Sequence, residues 1–149
     1  NITIKEGTKG IASSAFSGRP GLTSIIIPNS VESIGNNAFY GCTGLTSITL
    51  PNNIKNISEY SFYGCNQLTS IISEIEDPST ISHYSAYDAS SYTTPSDAFY
   101  GVADACQLTV PYGTRDAYIA AGWTEEIFKG GIVEPTLKGI AFSCKCVII

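Results

Sequence analysis

Histidine occurs once in the chain, at His83. It lies among serines, with Asp77 and Asp88 on either side. Those three residue types make a nucleophilic triad: a serine to attack, a histidine to take its proton, an aspartate to orient the histidine. The chemistry also needs a rigid scaffold and an oxyanion hole. No stretch here has the pattern of a nucleophile elbow or a glycine-rich oxyanion loop. The plainer reading of His83 is a solvent-facing loop histidine, and no catalytic residue is assigned. Catalysis would require His83 to be buried in a cleft beside a serine and an aspartate. A Cys/His dyad fares no better, because Cys42 and Cys65 fall at inward positions of the repeat described below.

Metal and covalent chemistry are equally thin. Cys144 and Cys146 form a pair without the second pair, or the histidines, that zinc requires. Glu74, Glu76 and Asp77, then Glu125 and Glu126, lack the spacing of a calcium loop. No structural metal and no cofactor is expected. Five cysteines are an odd number, a poor fit to a disulfide framework. The ending Cys146-Val147-Ile148-Ile149 has the form of a prenylation box, which would place a lipid on Cys146. Asn1-Ile2-Thr3 and Asn56-Ile57-Ser58 are glycosylation sequons. Both kinds of modification depend on the host.

Composition narrows the rest. The 149 residues suggest one compact domain, or part of something larger. Hydrophobic residues are 43% of the chain, enough to bury a core. Charged residues are only 14%, against about 25% in an average soluble protein. The net charge of −5 and the lack of a Lys/Arg cluster argue against nucleic acid and anionic membrane surfaces. No apolar run approaches the ~18 residues of a membrane span. Methionine is absent and no leader opens the chain, which reads as a processed product or an excised piece.

What must position any functional residue is a repeat. Phe16, Phe39 and Phe62 are 23 residues apart, as are Leu22, Leu45 and Leu68, and Ile11, Ile34 and Ile57. Pro28 and Pro51 keep the interval, and so do Cys42 and Cys65. Ile2 and Ile4 precede Ile25 and Ile27 by the same 23. Phe99 follows Phe62 by 37, one repeat plus fourteen inserted residues. The segment Leu22-Thr23-Ser24-Ile25-Ile26-Ile27 turns Leu22, Ile25 and Ile27 inward, the L-x-x-L-x-L strand of leucine-rich repeats. Neighbouring copies stack as parallel strands about 4.8 Å apart. Pro28 and Pro51 end the strand, because proline has no N–H for the ladder. The following V/I-x-x-I brings a second apolar edge inward, Ala-Phe fills the far end, and Gly18, Gly41, Gly64 and Gly101 allow the turn back. At Cys42 and Cys65 a small free thiol packs well in a tight inward turn. One coil has nothing to bury against, so several must stack and the ends need caps.

After Pro111 the period stops. Thr114 can N-cap a helix over 115–120, with Gly122 as its stop. Trp123, Ile127, Phe128, Ile132 and Val133 then cover the last coil. The start shows no cap and begins in mid-strand, so earlier repeats are expected upstream.

These residues resemble the BspA-like leucine-rich repeats. The resemblance is carried by Ala38-Phe39-Tyr40-Gly41-Cys42-Thr43-Gly44-Leu45-Thr46-Ser47-Ile48-Thr49-Leu50-Pro51-Asn52 and the similar run 62–72. Residues 108–118, continuing through Trp123 to Glu134, resemble the terminal cap of bacterial members. It implies an α/β-type repeat solenoid: a right-handed superhelix of short parallel strands, irregular or 3-10 return segments and a small helical C-terminal cap. The solenoid would span 1–134, with about five strands, an insertion at 74–97 and the cap at 112–134; residues 135–149 form a tail. The resemblance also implies an extracellular or cell-surface setting and a role in attachment to host proteins, glycans or neighbouring cells. With a cap of the bacterial type, the Cys146 box reads as an incidental tail, since bacteria lack the prenylating enzymes.

The outward strand positions form two uncharged columns. One is Asn1, Ser24, Ser47, Ser70 and Gln107; the other is Thr3, Ile26, Thr49, Ile72 and Thr109. Five strands make a face of only about 320 Å², against ~800 Å² per partner in a standard interface. The insertion carries Tyr84, Tyr87 and Tyr92 beside His83. Tyrosine and serine on a loop held by a rigid scaffold suit protein recognition; the plainer reading is a flexible excursion with the rings folded back on the solenoid. Tyr40, Tyr63 and Tyr100 follow each Phe and should line the convex edge, as repeat-imposed packing. The expectation is therefore a non-enzymatic, monomeric binding module for a protein or glycan ligand. Candidate contacts are Tyr84, Tyr87, Tyr92, His83, Ser24, Ile26, Ser47, Thr49, Ser70 and Ile72. The alternative is a spacer that presents another part of a larger surface protein.

Overall fold

A computed structural model describes residues 1–83 and 94–136. Two sets of parallel strands build it, a front set that reaches the cap and a return set confined to the first three coils. The front ladder holds β1 (Ile2–Thr3), β3 (Ile25–Ile26), β5 (Ser47–Leu50), β7 (Ser70–Ser73), β8 (Gln107–Thr109) and β9 (Ile132–Val133). Its register puts Ile2 beside Ile25, and Ile48 beside Ile71, Leu108 and Ile132 in turn. Between β3 and β5 the link is a single long bond, Thr46 N–H to the Thr23 carbonyl at 3.4 Å. The return ladder holds β2 (Gly10–Ile11), β4 (Ser33–Ile34) and β6 (Asn56–Ile57). Strands this short carry little stability alone; their inward side chains do the work.

Those side chains form continuous files. Ile25, Ile48, Ile71, Leu108 and Ile132 are buried on the front side, and Ile11, Ile34 and Ile57 on the return side. At the far end Phe16, Phe39, Phe62 and Phe99 stack face to face, with centroids 5.4, 5.1 and 5.0 Å apart. The backbone sets this spacing: the amides of Phe16, Phe39 and Phe62 each donate to the next coil, at 2.8 Å. Gly41 turns the chain after its Phe at φ +65°, a left-handed conformation that a side chain disfavours. Gly44 lets two coils touch; a Cβ there would sit 2.1 Å from the Pro20 carbonyl oxygen.

The insertion is built into the coil for much of its length. After β7, Ile75, Pro78 and Ile81 are buried, and a 3-10 turn at Pro78–Thr80 takes up three extra residues. Ser82 then bridges Asn56 in parallel, 26 residues on instead of 23. His83 follows Ser82 as Ile57 follows Asn56, so the histidine stands fourth in the file Ile11, Ile34, Ile57. The chain re-enters at α1 (Pro95–Phe99), where the Thr94 amide and hydroxyl donate to Asp97 Oδ2 at 2.7 and 2.9 Å.

The cap differs from expectation in two respects. The ladder does not end at Pro111: β9 pairs in parallel with β8, outside the 23-residue interval, and adds a sixth front strand. The helix α2 (Arg115–Ala120) forms over the expected residues, but the Thr114 hydroxyl does not cap it. That hydroxyl donates to the Pro111 carbonyl at 2.7 Å, and Glu134 Oε1 accepts the Arg115 N–H at 2.9 Å instead. Bonds from the Arg115, Gly113 and Thr114 amides hold the Glu134 carboxyl below its ordinary pKa. A carboxylate at a helix N-terminus serves the same orphan donors as a hydroxyl and adds charge.

Candidate interaction surface

Alternation along the front strands sends every second side chain outward. The register aligns Thr3 with Ile26, then Thr49 with Ile72, Thr109 and Val133. This column is β-branched throughout. Ile26 is 62% and Ile72 44% exposed, while Thr49, Thr109 and Val133 are half-buried. The second column aligns Ser47, Ser70 and Gln107, with Ser47 exposed and Ser70 half-buried. Ser24 belongs to it and donates to Asn1 Oδ1 at 2.7 Å. Six strands enlarge the face to roughly 400 Å², still half of a standard partner footprint.

His83 is not part of that surface. It is 8% exposed, and its Nδ1 lies 3.0 Å from the Ile57 carbonyl oxygen, so Nδ1 carries the proton and donates. Its ring meets Trp123 of the cap edge-on at 6.0 Å. The solvent-facing reading fails because the three-residue turn before it carries the histidine into the isoleucine file. His83 does line a cleft with Ser96, and Asp97 is near enough to act on it electrostatically. The relay geometry is nonetheless missing among the described residues. The nitrogen that an aspartate would orient is bonded to a backbone carbonyl, and Asp97 Oδ2 is taken by Thr94.

Burial pushes the His83 pKa below its ordinary 6.5; the bond to Ile57 and the charge of Asp97 oppose this. With a lowered pKa in the fold, the unfolded chain binds more protons below pH ~6.5. Stability should therefore fall as pH drops through that value. Replacing His83 by Ile extends the isoleucine file and leaves the Ile57 carbonyl without its donor, at about 1 kcal/mol. The variant should lie close to the parent at pH 7 and be the more stable at pH 5. Urea titrations at pH 5, 6 and 7 read this directly; an unchanged slope against pH would show that His83 titrates as freely in the fold as outside it. Glu32 and Glu134 also favour higher pH, but in the carboxylate range below about 4.5.

The thiols are packing groups. Cys42, Cys65 and Cys106 are free and buried. The Sγ of Cys42 lies 3.1 Å from the Phe16 carbonyl oxygen, and that of Cys65 3.1 Å from Phe39's. Burial raises all three pKa values, to about 12 at Cys65 and about 11 at Cys106. A thiol so rarely ionised is a poor nucleophile and a poor metal ligand. Tyr40, Tyr63 and Tyr100 stack at 5.1 and 5.3 Å, and Tyr60, at φ +57°, sets its edge against Tyr63. Tyr84, Tyr87, Tyr92, Cys144 and Cys146 lie outside the described residues.

One buried network escaped the sequence reading. Ser73 takes the place of Leu50 in the inward file. Its Oγ is 2.6 Å from the Tyr118 hydroxyl, which in turn donates to the Ile75 carbonyl at 2.7 Å. Tyr118 is fully buried and its pKa is pushed up to about 12. A serine interrupting an apolar column was the available signal that a polar group from elsewhere enters there.

Parallel rungs at a fixed interval, an inward aliphatic file and an outward, largely uncharged sheet define a leucine-rich repeat solenoid, a class that generally binds other proteins and does no chemistry. Residues 1–95 match the BspA type leucine rich repeat region, in six copies, and the chain belongs to that family. No curated protein and no solved structure matches the chain. No helix among the described residues is long and apolar enough to cross a membrane.

Proposed function

We propose that this chain is a non-catalytic adhesion module, secreted or displayed at a cell surface, that holds a protein or glycan of a host, a matrix or a neighbouring cell. The observation that carries it is the exposed column centred on Ile26 and Ile72: two large aliphatic side chains set outward on a rigid ladder, where Ile25, Ile48, Ile71 and Ile132 beside them are buried. Neither side chain adds a buried contact to the fold in proportion to its size, and an outward apolar group on a regular face is available to a partner. Family membership supports the setting, since BspA-type repeats are typically bacterial surface or secreted proteins. The small face, roughly half of a standard footprint, implies weak monovalent binding strengthened by further contacts from the insertion or by many copies on one surface.

The test is capture of the monomeric chain on a panel of matrix and cell-surface glycoproteins. Ile26→Ser with Ile72→Ser should reduce capture about tenfold or more, with little loss of melting temperature because both residues are exposed. Tyr84→Ser, Tyr87→Ser and Tyr92→Ser together should abolish what remains. A parent chain that captures nothing would favour the second reading, a spacer presenting another part of a larger surface protein, which the small face area also favours.

A further inference from the structure

The outward face is not uniform. A cleft of about 570 Å³ opens where Ile26 and Thr49 meet the strand ends at Pro28 and Asn29. Thr3 and Ile4 continue its wall, and its charged lining residues among those described are both carboxylates, Glu6 and Glu74. Both are exposed, and neither enters an ion pair with a described residue. The cations nearest in sequence do not answer them: Lys5 does not line the cleft, and Lys9 is held by Glu32 at 3.2 Å. An aliphatic floor beside two unanswered carboxylates, on a chain of net charge −5, is complementary to a partner that is apolar and cationic at once. None of its lining residues among those described is aromatic, so they offer no ring face on which a sugar would stack. The cleft is open to solvent along its length, with room for a few side chains of an extended segment.

We infer that this cleft takes an extended segment of a protein partner, seating a valine, isoleucine or leucine on Ile26 and Thr49 and neighbouring lysines or arginines against Glu6 and Glu74. The inference rests on the reading of the chain as an interaction module and narrows its partner to protein with basic-aliphatic segments.

The probes are two synthetic twelve-residue peptides, one alternating valine with lysine and one alternating valine with glutamate, each followed by fluorescence anisotropy against the intact chain. The valine-lysine peptide should bind and the valine-glutamate peptide should not. Glu6→Gln with Glu74→Gln should weaken binding about fivefold, and raising salt from 50 to 500 mM should do the same. Ile26→Ser should weaken it about tenfold. Asp116→Asn with Glu126→Gln, two exposed carboxylates on the cap, should change nothing. Equal binding of the two peptides, equal loss from the cap variant, or no binding at millimolar peptide overturns the inference. A glycoprotein whose capture depends on Ile26 and Ile72 but not on Glu6 and Glu74 overturns it too, while leaving the module reading intact. Loss of the module reading shows separately, as a parent chain that captures nothing on the panel.

Discussion

Phe62→Ala is expected to lower the unfolding free energy by about 3–5 kcal/mol. Phe62 is fully buried, with Phe39 on one face at 5.1 Å and Phe99 on the other at 5.0 Å. Truncation removes two aromatic stacks and leaves a void between rungs whose spacing is fixed by backbone hydrogen bonds, so the site cannot collapse to fill it. Phe16→Ala should cost clearly less, because Phe16 is only partly buried and stacks on Phe39 alone. Urea denaturation of both variants checks the ranking. Equal losses at the two positions would mean that the rings do not act as one file.

Trp123→Ala should have an effect of similar size, about 3–5 kcal/mol, but for another reason. Its ring closes the end of the stack, touching His83, Phe99, Tyr118 and Phe128 at 5.4–6.1 Å. In a repeat array the last coil is stabilised only through its neighbours, so removing the indole uncovers Phe99, which it meets at 5.4 Å. The indole Nε1 is buried without a hydrogen-bond partner among the described residues. Trp123→Phe removes that orphan donor while keeping an aromatic ring, and should cost far less than the alanine variant. If the two variants unfold alike in urea, a smaller aromatic ring restores none of the lost packing, and Trp123 does not act as an aromatic cover of the stack.

The sequence made the files legible wherever the 23-residue interval held. Phe16, Phe39, Phe62 and Phe99, the outward Ile26 and Ile72, and the turn glycines all stand where their spacing puts them. What escaped it were places where spacing changed without a change of role. His83 follows Ile57 by 26 residues, and only the turn at Pro78–Thr80 reveals that the extra three are absorbed before the file resumes. Ile132 follows Leu108 by 24, across a helix and a loop, and its two-residue strand carries too little pattern to be read. Cys106 is buried while Ala105, in register with Leu68, is exposed, a one-residue shift that no composition signals. Glu134 reaches Arg115 across nineteen residues to cap α2, a tertiary contact invisible to local capping rules. The outward columns were legible as positions. The cleft with Glu6 and Glu74 was not, because it forms between side chains of four different coils.

Whether repeats and cap make one continuous stack is tested most directly by amide hydrogen exchange on the intact chain. The amides of Leu108 and Val110 donate across the last rung to the carbonyls of Gly131 and Val133, at 3.0 and 2.9 Å. In one stack they open only with the whole, and their protection should lie within about 1 kcal/mol of that at Phe39 and Phe62. Exchange at Leu108 and Val110 as fast as at an exposed loop amide, with Phe39 and Phe62 still protected, would contradict this and leave the sixth strand no part in closing the solenoid.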